Sequence, residues 1–599
     1  MSESNSSSTE NPVRVADRFT TGFDADIVRA WIADDPDAQT ATSLTAILAE
    51  AEAGDAAARA DLSDRFSGPL VFGTAGLRGE IAAGPNRMNR SVVIRAAAGL
   101  SAFLNETVGP GFRVVIGCDA RYKSSDFARD TAAVVTAAGG VAIQLPEQLP
   151  TPLTAFALTH LGADAAVMVT ASHNPPADNG YKVYLGERPL LAIEPDPLTA
   201  RAGAGAQIVP PADALIAERI AAVPSVASVP RAESGWEHLD DSIIEAYLES
   251  IEALGVRASA DLSIVLTSLH GVGATVAEAA LALTGFENLH PVAVQQKPDP
   301  DFPTVAFPNP EEAGALDEAY ALASEVGADL IIANDPDADR FSAAIPDPSA
   351  PTGYRQLTGD EVGLLLGEDI ASRLAASAAS DGTDAVATAS DTAGPVFANS
   401  IVSSRGLAAA VRAHGFPAVQ TLTGFKWISR VPGLVFGYEE ALGYCVDPTV
   451  VRDKDGISAA VTFAALASRL KRDGSTIDAE LDRIRTRDGV FATAPLSFRL
   501  DDVSLIASAM DKLRQAPPTA LAGSPVTEVH DLSTGYDGLP PTDGILLLSE
   551  ANSRVIVRPS GTEPKLKCYL EVVGAPALGP SLQERLATIT TELKAYFGL

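Results

Sequence analysis

A hydroxyl that is to act as a nucleophile needs a stiff backbone and polar or charged neighbours. The string Thr170-Ala171-Ser172-His173-Asn174-Pro175-Pro176 offers both, and Asn179-Gly180-Tyr181-Lys182 follows it. The two prolines fix φ and stop a helix from starting there. Such a loop can present the Ser172 hydroxyl as a nucleophile at low ordering cost. The same residue types also make ordinary turns and helix N-caps.

A second string is Asp335-Pro336-Asp337-Ala338-Asp339-Arg340. Its carboxylates stand at every second position, and in an extended or looped backbone alternate side chains point the same way. Carboxylates converging on one point need a cation, and hard oxygen ligands suit Mg²⁺. An EF-hand reading fails, because Arg340 would take the glycine position and Pro346 the bidentate Glu position. A solvated acidic turn stays open as the plain alternative. A third string, Arg558-Pro559-Ser560-Gly561-Thr562-Glu563-Pro564-Lys565, joins a guanidinium, hydroxyls and a glycine. That set suits phosphate, through a bidentate Arg and a nest of backbone and hydroxyl donors, with Lys567 adding charge. A surface turn is its alternative.

Other strings are weaker. Gly73-Thr74-Ala75-Gly76-Leu77-Arg78-Gly79 is a glycine-rich turn with one arginine, and no Gly-Lys-Ser/Thr follows to make a P-loop. His270-Gly271-Val272-Gly273 starts like a dinucleotide fingerprint but has Val276 at the third glycine position. Ser172 has Ala171 and His173 beside it, so the esterase G-x-S-x-G elbow is absent. Glu439 and Glu440 could bond sugar hydroxyls or simply mark a helix start.

The elements needed to position these strings are visible in the pattern. Apolar runs Arg113 to Ile116, Ala165 to Val169, Ser263 to Leu266, Asp329 to Ala333, Leu434 to Phe436 and Arg554 to Val557 each end in a polar cluster. Continuous apolar runs are expected of strands covered on both faces, and open α/β sheets bind ligands at the carboxyl ends of such strands. Ala-rich stretches with helical spacing lie between them. Leu582, Leu586, Ile589, Leu593 and Tyr596 predict a C-terminal amphipathic helix. Segments 204–236 and 345–354 read as linkers, another break falls near 488–495, and 515–545 reads as an insertion loop.

At 599 residues the chain exceeds a single core, so several domains are expected. A net charge of −33 argues against nucleic acid or an anionic membrane as partner. Of ten lysines, Lys123, Lys182, Lys426, Lys454, Lys565 and Lys567 lie in or beside the strings above, which predicts a locally positive cleft. No long apolar run spans a membrane, the polar Ser2 to Pro12 start lacks a signal-peptide core, and three scattered cysteines suit a reduced, cytoplasmic protein.

Together these strings, collinear from about residue 70 to about 570, resemble the α-D-phosphohexomutase family of phosphoglucomutases and phosphomannomutases. Leu422-Thr423-Gly424-Phe425-Lys426-Trp427 and Gly437-Tyr438-Glu439-Glu440-Ala441 resemble the branch that includes phosphopentomutases and a glucose-1,6-bisphosphate synthase. The resemblance implies an α/β fold of four domains around a central cleft, three similar and a smaller α+β one at the C-terminus. The expected boundaries are a tail and lead-in at 1–40, then domains at 41–236, 237–347, 348–490 and 491–599.

It implies that Ser172 is the phosphorylated serine. Asp335, Asp337 and Asp339 would hold Mg²⁺ with a phosphoserine oxygen. Lys182, Arg78 and His173 would stand beside the transferring group, with Lys182 a candidate acid/base. Arg340, Lys426, Glu439 and Glu440 would line the substrate cleft. Lys454, Arg558, Ser560, Gly561, Thr562 and Lys567 would hold the phosphate not being transferred. A hexose 1,6-bisphosphate is the expected activator and a small phosphosugar the expected partner. The expected assembly is a monomer or weak homodimer. Many family members have serine where this chain has Ala441, which puts one sugar contact in doubt. A phosphatase with Asp335 as nucleophile and a sugar-phosphate sensor without turnover are the competing readings.

Overall fold

A computed structural model describes residues 23–73, 76–381, 394–499, 503–560 and 565–598. The apolar runs are strands, among them Arg113–Cys118, Ala165–Val169, Ile264–Thr267, Leu330–Asn334 and Leu434–Glu439. Ala165–Val169 and Leu330–Asn334 are buried throughout, as strands covered on both faces should be.

Three sheets share one plan. In the first, Ala165–Val169, Arg113–Cys118 and Val141–Gln144 run parallel, and Asp178–Leu185 returns antiparallel beside Ala165–Val169. In the second, Leu330–Asn334, Ile264–Thr267 and Leu289–Pro291 are parallel, and Phe341–Pro346 returns beside Leu330–Asn334. In the third, Ala418–Thr421, Val396–Ser400 and Leu434–Glu439 are parallel, and Gly443–Cys445 returns beside Leu434–Glu439. Each sheet therefore carries one tight reversal at the carboxyl end of a parallel strand. Those reversals hold Ser172, the three aspartates and Glu440. Each also has one non-glycine residue in the left-handed region: Ser172 at φ 53°, Ala338 at 52° and Leu442 at 63°.

The fourth sheet is antiparallel throughout and six-stranded. The C-terminal helix Gly579–Phe597 lies on it, burying Leu582, Leu586, Ile589 and Leu593 as their spacing predicts.

One apolar core runs through all three α/β domains, from Leu153 and Phe156 through Leu330 and Phe341 to Phe436 and Tyr438. The fourth domain keeps a core of its own. It meets the third over a small patch of Ile401 and Val402 against Leu546 and Ile556, and through Arg405 paired with Glu571.

Two linker expectations and one loop expectation give way. Segment 204–236 carries the helix Ala212–Ala221, which buries Ala212 and Ile216 in the first domain's core. Segment 345–354 is the turn of a hairpin, because Tyr354–Gln356 pairs antiparallel with Phe341–Pro346 inside the second sheet. Its Pro, Ser and Gly content serves that turn, which crosses the boundary expected at 347/348. Segment 515–545 is not a bare loop, since it contributes the strands Ala520–Leu521 and Ser524–Asp531. Of the expected tail and lead-in, residues 1–22 lie outside the described residues, and Ala25–Asp34 is already helix. That helix and Ala38–Glu52 and Ala56–Arg65 form a small bundle with its own apolar cluster. Lys123 ion-pairs with Asp37, which caps the second of these helices, and with Asp126 on the helix that Lys123 itself begins.

Candidate active site

The Ser172 loop is built by burial and by one arginine. Ser172 is 3 % exposed, and its N–H donates to Thr170 Oγ1 at 2.9 Å. A left-handed φ costs a β-carbon residue about 1 kcal/mol or more, so neighbours must hold it. Arg121, from the cluster after Arg113–Cys118, does so. Its guanidinium donates to the carbonyls of Ser172 (2.7 Å), Pro175 (2.7 Å), Asp178 (3.2 Å) and Asn174. The ring of Phe302 from the second domain covers that guanidinium at 4.9 Å. Arg78 NH1 donates to Asn174 Oδ1 at 3.0 Å. Of the turn that carries Arg78, Thr74 and Ala75 lie outside the described residues.

The aspartate loop meets this serine. Ser172 Oγ donates to Asp335 Oδ2 at 2.7 Å, and His173 Nδ1 lies 3.2 Å from Oγ. Gly271 and Gly273 explain the string that resembled a dinucleotide fingerprint. A β-carbon on Gly271 would fall 2.2 Å from Pro336 Cα, and one on Gly273 would fall 2.7 Å from Ala338 Cβ. Val272 N–H donates to the Pro336 carbonyl at 2.8 Å. The string therefore seats the aspartate loop.

Asp335, Asp337 and Asp339 each offer an oxygen within 4.8 Å of the others, and all are buried. Lys182 Nζ donates to Asp337 Oδ2 and Asp339 Oδ2, both at 2.8 Å. Lys454 Nζ reaches the same Asp339 Oδ2 at 3.1 Å, and Thr151 Oγ1 donates to Asp337 Oδ2 at 2.6 Å. Asp337 Oδ1 and Asp339 Oδ1 are buried with no hydrogen-bond partner among the described residues. Hard, buried oxygens without partners fit a divalent cation, so the cluster can hold a metal ion.

Charges in the site split by surroundings. Burial and the neighbouring Asp337 and Asp339 push Asp335 well above the ordinary carboxylate range. Burial also opposes ionisation of Asp337 and Asp339, but Lys182, joined at Asp339 by Lys454, outweighs it and holds both low. Burial works against the Lys182 ammonium too; the two carboxylates win and raise it. Burial, Arg340 and Arg78 keep the His173 ring neutral.

Across the cleft, Glu439 and Glu440 differ. Glu440 accepts from Ser400 Oγ at 3.1 Å and Ser403 Oγ at 2.8 Å, so its own domain engages it. The Glu439 side chain has no hydrogen-bond partner among the described residues and remains open to a ligand. Glu440 thus departs from its expected role as a second sugar reader. Arg340 Nε lies 3.9 Å from Asp335 Oδ2 and 3.8 Å from Asp339 Oδ1. Arg558 and Lys567 are cross-strand neighbours on the fourth sheet. Lys567 lies within electrostatic reach of Glu311. Ser560 N–H donates to the Lys565 carbonyl at 2.8 Å, and Gly561 and Thr562 lie outside the described residues. Lys426 is buried against the first domain, near Asp213 and Arg430, away from the aspartates. Burial pushes its ammonium down to about 8.

Three groups were not anticipated. Arg121 follows a strand directly, a signal of position though not of role. Thr151 and Glu311 had no signal. Glu311 is exposed to the cleft, yet protein walls surround it; that enclosure pushes its carboxyl up to about 7, with Glu440 adding to it and Arg340 and Lys567 opposing.

Three α/β domains and a small fourth one thus place a buried serine, an acidic cluster that can hold a metal ion and several cations in one cleft, an arrangement suited to handling phosphate. Segments 69–191, 245–348, 358–484 and 531–588 match the family models described as phosphoglucomutase/phosphomannomutase alpha/beta/alpha domains I, II and III and C-terminal domain. The chain belongs to this family, whose members are phosphomutases, intramolecular phosphotransferases. A Haemophilus influenzae protein named "Probable phosphomannomutase" is 42% identical over 494 residues, 81% of this chain and 93% of that one. The Saccharomyces cerevisiae "Phosphoribomutase" is 33% identical, covering 91% and 92%. The Homo sapiens "Phosphopentomutase" is 32% identical, covering 94% and 93%. Among solved structures, a phosphoglucomutase/phosphomannomutase family protein from Burkholderia thailandensis shares the fold, with TM-score 0.64 and 20% identity over 88% of this chain and 97% of that one. No helix among the described residues is long and apolar enough to cross a membrane.

Proposed function

We propose that the protein is a phosphosugar mutase that moves a phosphoryl group between O1 and O6 of a hexose phosphate through phospho-Ser172. Glucose 1-phosphate is the expected substrate, with mannose 1-phosphate also accepted. The observation that carries this reading is the buried Ser172 hydroxyl held on Asp335, with Lys182 across the same cluster.

In the first transfer the P–Oγ bond of phospho-Ser172 breaks as phosphorus bonds to the sugar O6. The O6 proton passes to a nearby base, and the Oγ side is stabilised by Lys182 and Arg340. The resulting 1,6-bisphosphate turns end for end. In the second transfer its O1 phosphoryl group returns to Oγ, leaving the 6-phosphate. Lys182 and His173 are the groups placed to exchange the protons. Asp335, Asp337, Asp339 and a phosphoserine oxygen would hold Mg²⁺, which when bound neutralises charge on the transferring phosphoryl group. Glu439 would accept from sugar hydroxyls. Lys454, Lys567 and the Arg558 loop would hold the remote phosphate. A hexose 1,6-bisphosphate would prime the serine. We place the protein in the cytoplasm, consistent with three buried, unpaired cysteines.

A second reading, a phosphopentomutase, has specific support. The Saccharomyces cerevisiae phosphoribomutase and the Homo sapiens phosphopentomutase align over 91% and 94% of this chain, and Ala441, where many family members have serine, puts one sugar contact and hexose specificity in doubt. Measuring kcat/KM on the 1-phosphates of glucose, mannose, ribose and deoxyribose, with glucose 1,6-bisphosphate added, decides between them. Absence of turnover on all four would overturn the mutase reading.

A further inference from the structure

We propose that Asp453 is a positioning residue that holds Lys454 in the cleft, and that the first domain sets Asp453 through Tyr184 and Gln207. The functional meaning of that positioning rests on the mutase reading; the geometry stands without it.

Lys182 and Tyr184 lie two residues apart on the strand Asp178–Leu185, so they share a face. Lys182 goes to the second domain, where it bonds Asp337 and Asp339. Tyr184 goes to the third, donating its hydroxyl to Asp453 Oδ2 at 2.8 Å. Gln207 Nε2 donates to the same oxygen at 2.7 Å. The other oxygen faces the opposite way. Asp453 Oδ1 accepts the Lys454 N–H at 2.8 Å and lies 3.7 Å from Lys454 Nζ. Lys454 Nζ then meets Asp339 Oδ2, the atom that Lys182 also contacts.

Asp453 thus divides its two oxygens between the first domain and Lys454, and it is 1 % exposed. Burying a carboxylate is unfavourable unless it is paired and hydrogen-bonded. Among the described residues, every hydrogen bond its carboxylate accepts comes from the first domain or from the Lys454 N–H. A lysine stem is flexible, and its ammonium is a compact charge with no fixed direction. Something must choose where it ends. Gly443 leaves room for the stem, since a β-carbon there would fall 2.4 Å from Lys454 Cδ. The Phe425 ring bounds the ammonium at 5.7 Å. Asp453 supplies the anionic anchor.

Asp455, two residues on, is an internal control. It accepts from Tyr247 OH at 2.9 and 3.0 Å and caps the helix Gly456–Arg472, without touching Lys454.

The test uses the full chain and three variants, Tyr184→Phe, Asp453→Asn and Tyr247→Phe. Amine-reactive labelling with peptide mass spectrometry reads Lys454 against Lys182 in each. Tyr184→Phe and Asp453→Asn should raise the Lys454 labelling rate about five- to tenfold, because its ammonium is no longer fixed. Tyr247→Phe should leave it at the native rate while removing the same kind of bond. In turnover of glucose 1-phosphate, the first two should raise KM several-fold with a smaller change in kcat. Unchanged Lys454 labelling in both Tyr184→Phe and Asp453→Asn would overturn the proposal. So would an equal rise in Tyr247→Phe, which would mean general loosening. If the native chain turns over no sugar phosphate, the mutase reading fails, and the labelling ratios still decide this proposal.

Discussion

Ser172 Oγ, on the first domain, donates a 2.7 Å hydrogen bond to Asp335 Oδ2, on the second. The two residues are 163 apart in sequence. Each sits on the reversal between a parallel strand and its antiparallel neighbour. Equivalent turns of two similar domains therefore face each other, and a phosphoryl group on Oγ would arrive at the carboxylate cluster. Both ends of this contact are buried, so a ligand that displaces it must replace its hydrogen bond.

Removing divalent metal should abolish turnover. Excess chelator is expected to lower activity at least about a hundredfold, with recovery on adding Mg²⁺. Asp337→Asn should weaken metal affinity and raise the Mg²⁺ concentration needed for half-maximal activity about tenfold or more, because one charged oxygen ligand is lost. Activity titrations against free Mg²⁺ check both. Full activity in chelator would exclude the cluster as a required metal site.

Arg121→Lys keeps the charge and loses the fork that reaches four carbonyls. The Ser172 loop should then wander from its left-handed turn. We expect kcat to fall about ten- to a hundredfold with KM little changed, the pattern of a misplaced nucleophile. Thermal denaturation read beside the kinetics separates a loosened loop from an unfolded domain.

Arg558→Ala should act on binding. Arg558 stands beside Lys567 on the fourth sheet, and its Nε is buried without a hydrogen-bond partner among the described residues. Loss of a charged phosphate contact commonly costs about 2 kcal/mol or more. KM for glucose 1-phosphate should therefore rise tens-fold, and kcat should fall less. Equal kinetics in the variant would show that the arginine only shapes its strand.

Acid stability has a named source. Glu368 is buried against Arg483, Arg487 and His414, with contacts of 2.6, 2.7 and 3.1 Å. Burial works against its charge, but Arg487 and Arg483 outweigh that and bring it down to about 2 from an ordinary 4.5. A depressed carboxyl contributes stability above its unfolded value and loses it as pH falls toward its folded one. The arginine ends are partly solvated, which reduces the effect to about 2 kcal/mol. Glu368→Gln should lower Tm at pH 7 by a few degrees, and the gap should close between about pH 4.5 and pH 2. A gap that stays constant over that range would contradict this assignment.

The parts of this fold most legible in the sequence were those with one dominant physical cause. Ala165–Val169 and Leu330–Asn334 are continuous apolar runs because both faces are covered, and a polar cluster at their carboxyl ends marks the cleft. The alternate aspartates announce a shared target because their spacing matches the alternation of the chain. The heptad-like spacing from Leu582 to Leu593 likewise names a packed helix face. Composition alone misled at 345–354, where Pro, Ser and Gly make a hairpin turn as readily as a linker. Glu439 and Glu440 are adjacent and chemically alike, and only the position of Ser400 and Ser403 turns one of them inward. Arg121 and Tyr184 act through partners 50 or more residues away, and Asp453 is set by residues equally far off. No local pattern encodes such pairings, which depend on how the domains dock.

The central claim is that Ser172 carries the phosphoryl group. The direct measurement is peptide mass spectrometry of the full chain after incubation with glucose 1,6-bisphosphate and Mg²⁺, for the native protein and for Ser172→Ala. We predict one phosphoryl group on Ser172 that survives acid, exchanges with added sugar phosphate, and is missing from Ser172→Ala along with all but a trace of mutase turnover. A hydroxylamine-labile phosphate on Asp335 with none on Ser172, or undiminished turnover by Ser172→Ala, would contradict the account.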